Sequence, residues 1–241
     1  MIGPRPLRGT RHTCALLAAI ASVAAVAAAC SDGDSEPSND DTIAATSAAA
    51  IGVLATGCSP SDDLGSGSMI DRDLAVTAAH VVAGATEVRV VDGDGAEHGA
   101  EVVWFDPDLD LAVLRTEREL GAPLIVTQPA VAGDIGFVAR RVDAETVVSD
   151  VRVSRTVDID TTDIYLDREV TRPGFEVDAA VTPGDSGAVV VLPGGIAGGM
   201  LWARSSERNE RAWAIDLPIE LGDAAFRDGL VGPVPVGACT G

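Results

Sequence analysis

From Ala49 onward the apolar residues of this chain fall in short valine- and isoleucine-rich runs, each stopped by Gly, Asp or Pro. Glu87-Val88-Arg89-Val90-Val91, Glu101-Val102-Val103-Trp104 and Val147-Val148-Ser149-Asp150-Val151-Arg152-Val153 are examples. Ala188-Val189-Val190-Val191-Leu192 and Ile196-Ala197-Gly198-Gly199-Met200-Leu201-Trp202 continue the rhythm. β-Branched side chains are stiff at χ1 and suit a pleated surface better than a helix. Runs this short, punctuated by turns, describe an all-β sandwich or barrel. Helical periodicity is scarce, and one short helix is expected near Pro218–Asp228. The segment Gly121–Pro129 reads as a connection between two halves of the domain.

Three fragments carry chemistry. Ser186 sits in Thr182-Pro183-Gly184-Asp185-Ser186-Gly187, His80 ends Val76-Thr77-Ala78-Ala79-His80, and Asp110 precedes the apolar run Leu111-Ala112-Val113-Leu114. A serine hydroxyl is a weak nucleophile that needs an imidazole to take its proton and a carboxylate to orient that imidazole. The chain order His, Asp, Ser is that of chymotrypsin-type proteases. None of the three histidines (His12, His80, His98) follows Ser186, which excludes the Ser…Asp…His order of an α/β-hydrolase. Their scatter also argues against a zinc hydrolase, so neither a metal nor a cofactor is expected. Asp106 and Asp108 are the solvated acids of their segment, and Asp110, entering the strand, is the candidate orienter. His98 reads as part of a solvated hairpin turn. The backbone N–H groups of Gly184 and Ser186 are candidates for an oxyanion hole, because a glycine permits the backbone conformation an inward-pointing amide requires.

The N-terminus has its own pattern. Arg5, Arg8 and Arg11 precede an apolar run from Cys14 to Ala29, too short for a spanning helix, so residues 1–29 read as an export signal. Ala27-Ala28-Ala29-Cys30 is similar to a bacterial lipobox, which implies lipidation of Cys30 and a membrane anchor; ordinary signal cleavage is the alternative. Residues 30–48 then read as a disordered tether, and residues 49–241 as the folded domain. With Cys14 in the leader and Cys30 lipidated, Cys58 and Cys239 remain, either as a disulfide or as two free thiols. The formal charge is −20 with no lysine, and loss of the leader's three arginines makes it −23. So acidic a surface argues against nucleic acid as a partner.

With those residues in view, the chain resembles the bacterial trypsin-like proteases of the HtrA and DegP type. Gly65-Ser66-Gly67-Ser68-Met69-Ile70 looks like the glycine-rich strand that opens their domain, and His80, Asp110 and Ser186 are spaced much as in that family. Asp163-Ile164-Tyr165, Val170-Thr171-Arg172 and Pro235-Val236-Gly237-Ala238-Cys239 resemble an actinobacterial group of acid-resistance periplasmic proteases. The resemblance covers roughly residues 50–241. It implies the chymotrypsin fold of two six-stranded β-barrels, cleavage of polypeptide substrates, a Cys58–Cys239 disulfide and a periplasm-like location. No PDZ domain is expected.

Where trypsins carry a carboxylate six residues before the nucleophile, this chain has Ala180, followed by Val181. The resemblance therefore implies small or apolar rather than basic residues before the scissile bond, with Leu201, Trp202 and Ala203 as the opposing wall of the pocket. Ala188 stands where a second glycine is usual, and crowding of the nucleophile's turn is the expected consequence. A catalytically silent, peptide-binding protein on the same fold is the alternative function.

Overall fold

Six strands close a first barrel: β1 (Ala50–Thr56), β2 (Asp63–Met69), β3 (Leu74–Thr77), β4 (Glu87–Val91), β5 (Glu97–Asp106) and β6 (Leu111–Thr116). Their spatial order is β1-β2-β3-β6-β5-β4, every neighbour antiparallel. Six more close a second: β7 (Ile135–Val142), β8 (Glu145–Thr162), β9 (Glu169–Asp178), β10 (Val189–Leu192), β11 (Ile196–Arg204) and β12 (Arg211–Ile215). Here the order is β10-β11-β12-β9-β8-β7, and the ring closes at Val191↔Phe137. This computed structural model describes residues 37–58, 63–142, 145–205 and 208–240. The expected export signal and Cys30 lie outside the described residues.

The valine-rich runs form strands because alternate side chains can be buried inside a closed ring. Ile51, Val53, Met69, Leu74, Val76, Val90, Leu111 and Leu114 fill the first barrel, each at most 2% exposed. The same apolar cluster includes Val189, Val191, Met200, Ile215 and Leu221, so the barrels share one core across their junction. A second cluster around Phe175, Val177, Val190 and Leu201 fills the second barrel. Residues 117–134 connect the two, including the expected Gly121–Pro129 segment.

Two local expectations change. Residues 39–48, read as tether, belong to a helix, α1 (Asn39–Ala49). Ser38 accepts from Asp41 N, and the Asp41 carboxylate accepts in turn from Ser38 N, so a capping box starts the helix. Its buried face is Thr42, Thr46 and Ala49, with the Thr42 and Thr46 hydroxyls bonded back to carbonyls one turn earlier. Small residues at helical spacing give no apolar stripe, which is why the sequence read as tether. The expected C-terminal helix is broken into a 3-10 turn, Ile219–Gly222, and α3 (Ala224–Asp228), which Asp223 caps through Ala225 N.

Candidate active site

His80 lies in a single helical turn, α2 (Ala79–Val82), that follows β3 directly. Ala79, Val81 and Val82 bury around it while its own side chain stays one third exposed. The Asp110 side chain is only 4% exposed. One carboxylate oxygen accepts from His80 N at 2.9 Å and the other meets His80 Nδ1 at 2.8 Å. Ala79 N donates to Asp110 O. A carboxylate beside Nδ1 favours the tautomer with the proton on Nδ1, which leaves Nε2 as the ring's acceptor. Asp110 itself has φ 58°, a left-handed conformation that Asp tolerates better than most residues and that costs about 1–3 kcal/mol.

Ser186 comes from the second barrel, in the loop before β10. The strand β2 holds that loop twice: Ser66 N donates to Ser186 O at 2.8 Å and Ser66 Oγ to Gly184 O at 2.7 Å. Gly187, at φ 92°, lies against the first barrel so closely that a Cβ would collide with Ser66 O and stand 2.7 Å from Thr77 Oγ1. The Ser186 loop is thereby seated beside Thr77 of β3, three residues before His80. Within the loop, Asp185 accepts from Thr182 N at 2.6 Å and pairs with Arg140 of β7 at 3.2 Å. Among the described residues, neither Gly184 N nor Ser186 N donates a hydrogen bond. Gly184 has φ 96°, with nothing within 4 Å of where its Cβ would be. Both amides are therefore available to a ligand.

Ala188 does not crowd this turn. It is buried with an ordinary negative φ, donates to Asp185 O and accepts from Leu201 N, so a Cβ is accommodated.

A cavity of about 220 Å³ opens beside Ser186, lined by Val181, Thr182 and Pro183 on one side and Leu201, Trp202, Ala203 and Arg204 on the other. Val181, Leu201, Trp202 and Ala203 of the expected pocket are among these lining residues. Ala180 is not: it is exposed and lies outside the lining, because the wall begins one residue later. Thr182, Pro183 and Arg204 are additions; the first two belong to the nucleophile's own motif, and Arg204 follows the expected wall. Trp213 lies in β12, paired with Ala203 of β11.

Of the other acids, Asp106 accepts from Asp108 N and Leu109 N and shapes the loop before Asp110, while Asp108 pairs with Arg168. His98 is not in a solvated turn: it lies in β5 with Nε2 2.6 Å from Asp92 Oδ2, and its side chain is 10% exposed. Cys58 and Cys239 are joined in a disulfide with Cα atoms 5.6 Å apart. This sets the C-terminal tail beside the turn after His80, where Gly84 N donates to Val236 O. Tyr165 Oη donates to the same carbonyl. Asp163 shapes the β8–β9 turn: backbone N–H groups of Asp167 and Tyr165, together with Arg168, hold its carboxyl below the usual carboxylate range.

Sequence reasoning missed two arginines that brace these groups, Arg140 and the buried Arg172 of β9. Arg172 Nε donates to Asp108 O at 2.6 Å, and its guanidinium lies over the Trp202 ring. Arg140 carries no sequence signal, and Arg172, although part of the Val170-Thr171-Arg172 resemblance, gains no role from it, since an arginine in a strand reads as solvated.

The two barrels and the serine loop between them define a class. The trypsin-like peptidase domain profile matches residues 65–200, and the chain belongs to that family. Within it the chain is homologous to Serine protease Rv3671c of Mycobacterium tuberculosis (strain ATCC 25618 / H37Rv), at 30% identity over 206 residues, 83% of this chain and 51% of the relative. A probable periplasmic serine endoprotease, DegP-like, of Halomonas elongata is 32% identical over 182 residues, 70% of this chain and 36% of the relative. The chain thus spans about half the length of the M. tuberculosis relative and less of the other. The crystal structure of the Rv3671c protease in its active form superposes with a TM-score of 0.75 at 28% identity, covering 86% of this chain and 94% of that one. The inactive form gives 0.64 at 26% identity, covering 81% and 96%.

Proposed function

We propose that this chain is an extracytoplasmic serine endopeptidase whose catalytic triad is His80, Asp110 and Ser186. The observation that carries the reading is the Asp110 carboxylate, which holds both the backbone N–H and Nδ1 of His80. His80 Nε2 takes the Ser186 proton as the hydroxyl oxygen attacks a peptide carbonyl, then delivers it to the leaving amine. Asp110 fixes the tautomer and stabilises the imidazolium. The oxyanion of the tetrahedral intermediate sits between Gly184 N and Ser186 N. Each such donor is worth about 2.7–4 kcal/mol of barrier. Arg140 supports that geometry through Asp185. The better match to the active than to the inactive form of the Rv3671c protease supports an active arrangement of this chain.

The pocket's apolar walls, with no carboxylate among the described residues that line it, favour small or apolar residues before the scissile bond, and Arg204 at its edge repels basic ones. The disulfide suits an oxidising, extracytoplasmic compartment. The leader and the lipobox-like Ala27-Ala28-Ala29-Cys30 support export and a lipid anchor at Cys30. Protein processing in the cell envelope is the role these features fit. The test is cleavage of a diverse peptide library by the full chain beside its Ser186→Ala form. Ser186-dependent cuts after apolar residues are expected. Equal behaviour of the two proteins contradicts the reading and favours a silent peptide-binding role.

A further inference from the structure

Arg172 is 2% exposed, among the most buried large side chains of the molecule. A cation is one of the most expensive groups to remove from water, so its surroundings should say what it does. Its Nε donates to Asp108 O at 2.6 Å and its Nη2 to Thr162 O at 3.2 Å. Nη1 stands 3.9 Å from Asp110 Oδ2, the oxygen that also meets His80 Nδ1. The guanidinium carbon lies 4.5 Å from the centroid of the Trp202 ring, whose indole N–H has no hydrogen-bond partner among the described residues. One side chain from the second barrel thus touches the loop that carries the orienting carboxylate and a wall of the pocket beside Ser186. Two carbonyls alone could be satisfied by a neutral donor; the nearby carboxylate and the aromatic face both favour a cation.

We infer that Arg172 is a positioning residue for this site: it fixes Asp110 and Trp202 in one geometry, and its charge competes with the His80 imidazolium for Asp110 Oδ2. The inference rests on the triad reading above. The charged groups around the pair are Asp106 at the end of β5, Asp108 on the loop before β6, Asp163 and Arg168 in the β8–β9 turn, and His80 on α2. Burial lowers the pKa of Arg172, and Asp110, Asp106, Asp108 and Asp163 oppose that shift. A guanidinium starts so high that it keeps its proton. The sign of the effect on catalysis follows. A carboxylate shared with a second cation stabilises the imidazolium less, and removing that cation leaves the whole carboxylate to the imidazolium. A neutral replacement moves the acid limb of kcat/KM upward by about one pH unit.

The test uses the full chain and a peptide that the wild type cleaves, with kcat/KM followed from about pH 4 to pH 8. Active sites are counted by a serine-reactive fluorophosphonate, so that only folded, competent molecules enter the rates. Arg172→Met and Arg172→Gln should both move the acid limb upward and lower kcat per active site roughly tenfold. Arg172→Lys, which keeps the charge but loses the planar fork, should restore the limb and leave kcat low. A merely structural arginine would change the number of active sites but neither the limb nor kcat per site. A wild-type acid limb in a neutral variant overturns the inference. Should both neutral variants fail to fold, the lysine variant decides: lowered kcat per site with an unmoved limb supports the positioning role, and unchanged kcat overturns it. A wild-type chain without Ser186-dependent turnover overturns the triad and this inference together, and is told apart because the wild type itself is silent.

Discussion

The two barrels hold their halves of the site by different means. In the first, His80 rides on a turn whose neighbours Ala79, Val81 and Val82 are buried, and Asp110 leads straight into the fully buried Leu111–Leu114. In the second, the Ser186 loop depends on the Arg140–Asp185 pair, and β9 buries Glu176 between Arg155 and Arg211. Apolar packing is indifferent to salt and pH, whereas partly exposed ion pairs are screened and titrate. Apart from the Arg172 contact with Asp110, the His80 and Asp110 half of the proposed site therefore sits on a stiff foundation, and the Ser186 half on an adjustable one.

The comparison can be broken at either foundation. Leu114 is wholly buried in the first barrel, and Leu114→Ala should cost about 3 kcal/mol of stability, independent of ionic strength, in urea unfolding. A much smaller loss would mean that the first barrel is loosely packed. Arg140→Met should leave the fold intact but relax the loop that presents Gly184 N and Ser186 N. Steady-state kinetics should then show kcat lower by roughly tenfold, about 1.4 kcal/mol, with KM little changed. An unchanged kcat would show that the Ser66 contacts alone hold the loop.

The smallest effect concerns Asp216, just beyond β12. Burial, with a contribution from Asp158, raises its pKa above the ordinary value. An acid with a raised folded-state pKa contributes stability only below its unfolded pKa and loses it as pH rises through the folded value. Asp216→Asn should therefore stabilise the protein by about 0.5 kcal/mol near neutral pH, after allowance for partial exposure, and by nothing near pH 3. Thermal unfolding at the two pH values reads the difference; an equal change at both would mean that the carboxylate's charge is not what matters.

The strands were legible in the sequence because valine-rich alternation is imposed by burial itself: the run Glu87–Val91 is β4 residue for residue. The His80, Asp110 and Ser186 fragments were legible because the chemistry fixes both residue types and their order. What escaped has physical reasons. The helix α1 buries threonine and alanine, which carry no hydrophobic signature. The pocket wall was counted back to Ala180, but Ala180 is exposed and the lining starts at Val181. Arg140 and Arg172 matter through partners about 45 and 60 residues away in sequence, Asp185 and Asp110, and only the closure of the second barrel and its docking on the first bring them together.

The central claim is that Asp110 and His80 of one barrel activate Ser186 of the other. The most direct measurement is the rate at which a fluorophosphonate labels the full chain, its His80→Ala form and its Ser186→Ala form. The account predicts rapid labelling of the wild type, a loss of at least about a hundredfold without His80, and none without Ser186. Equal labelling of the wild type and the His80→Ala form would contradict it.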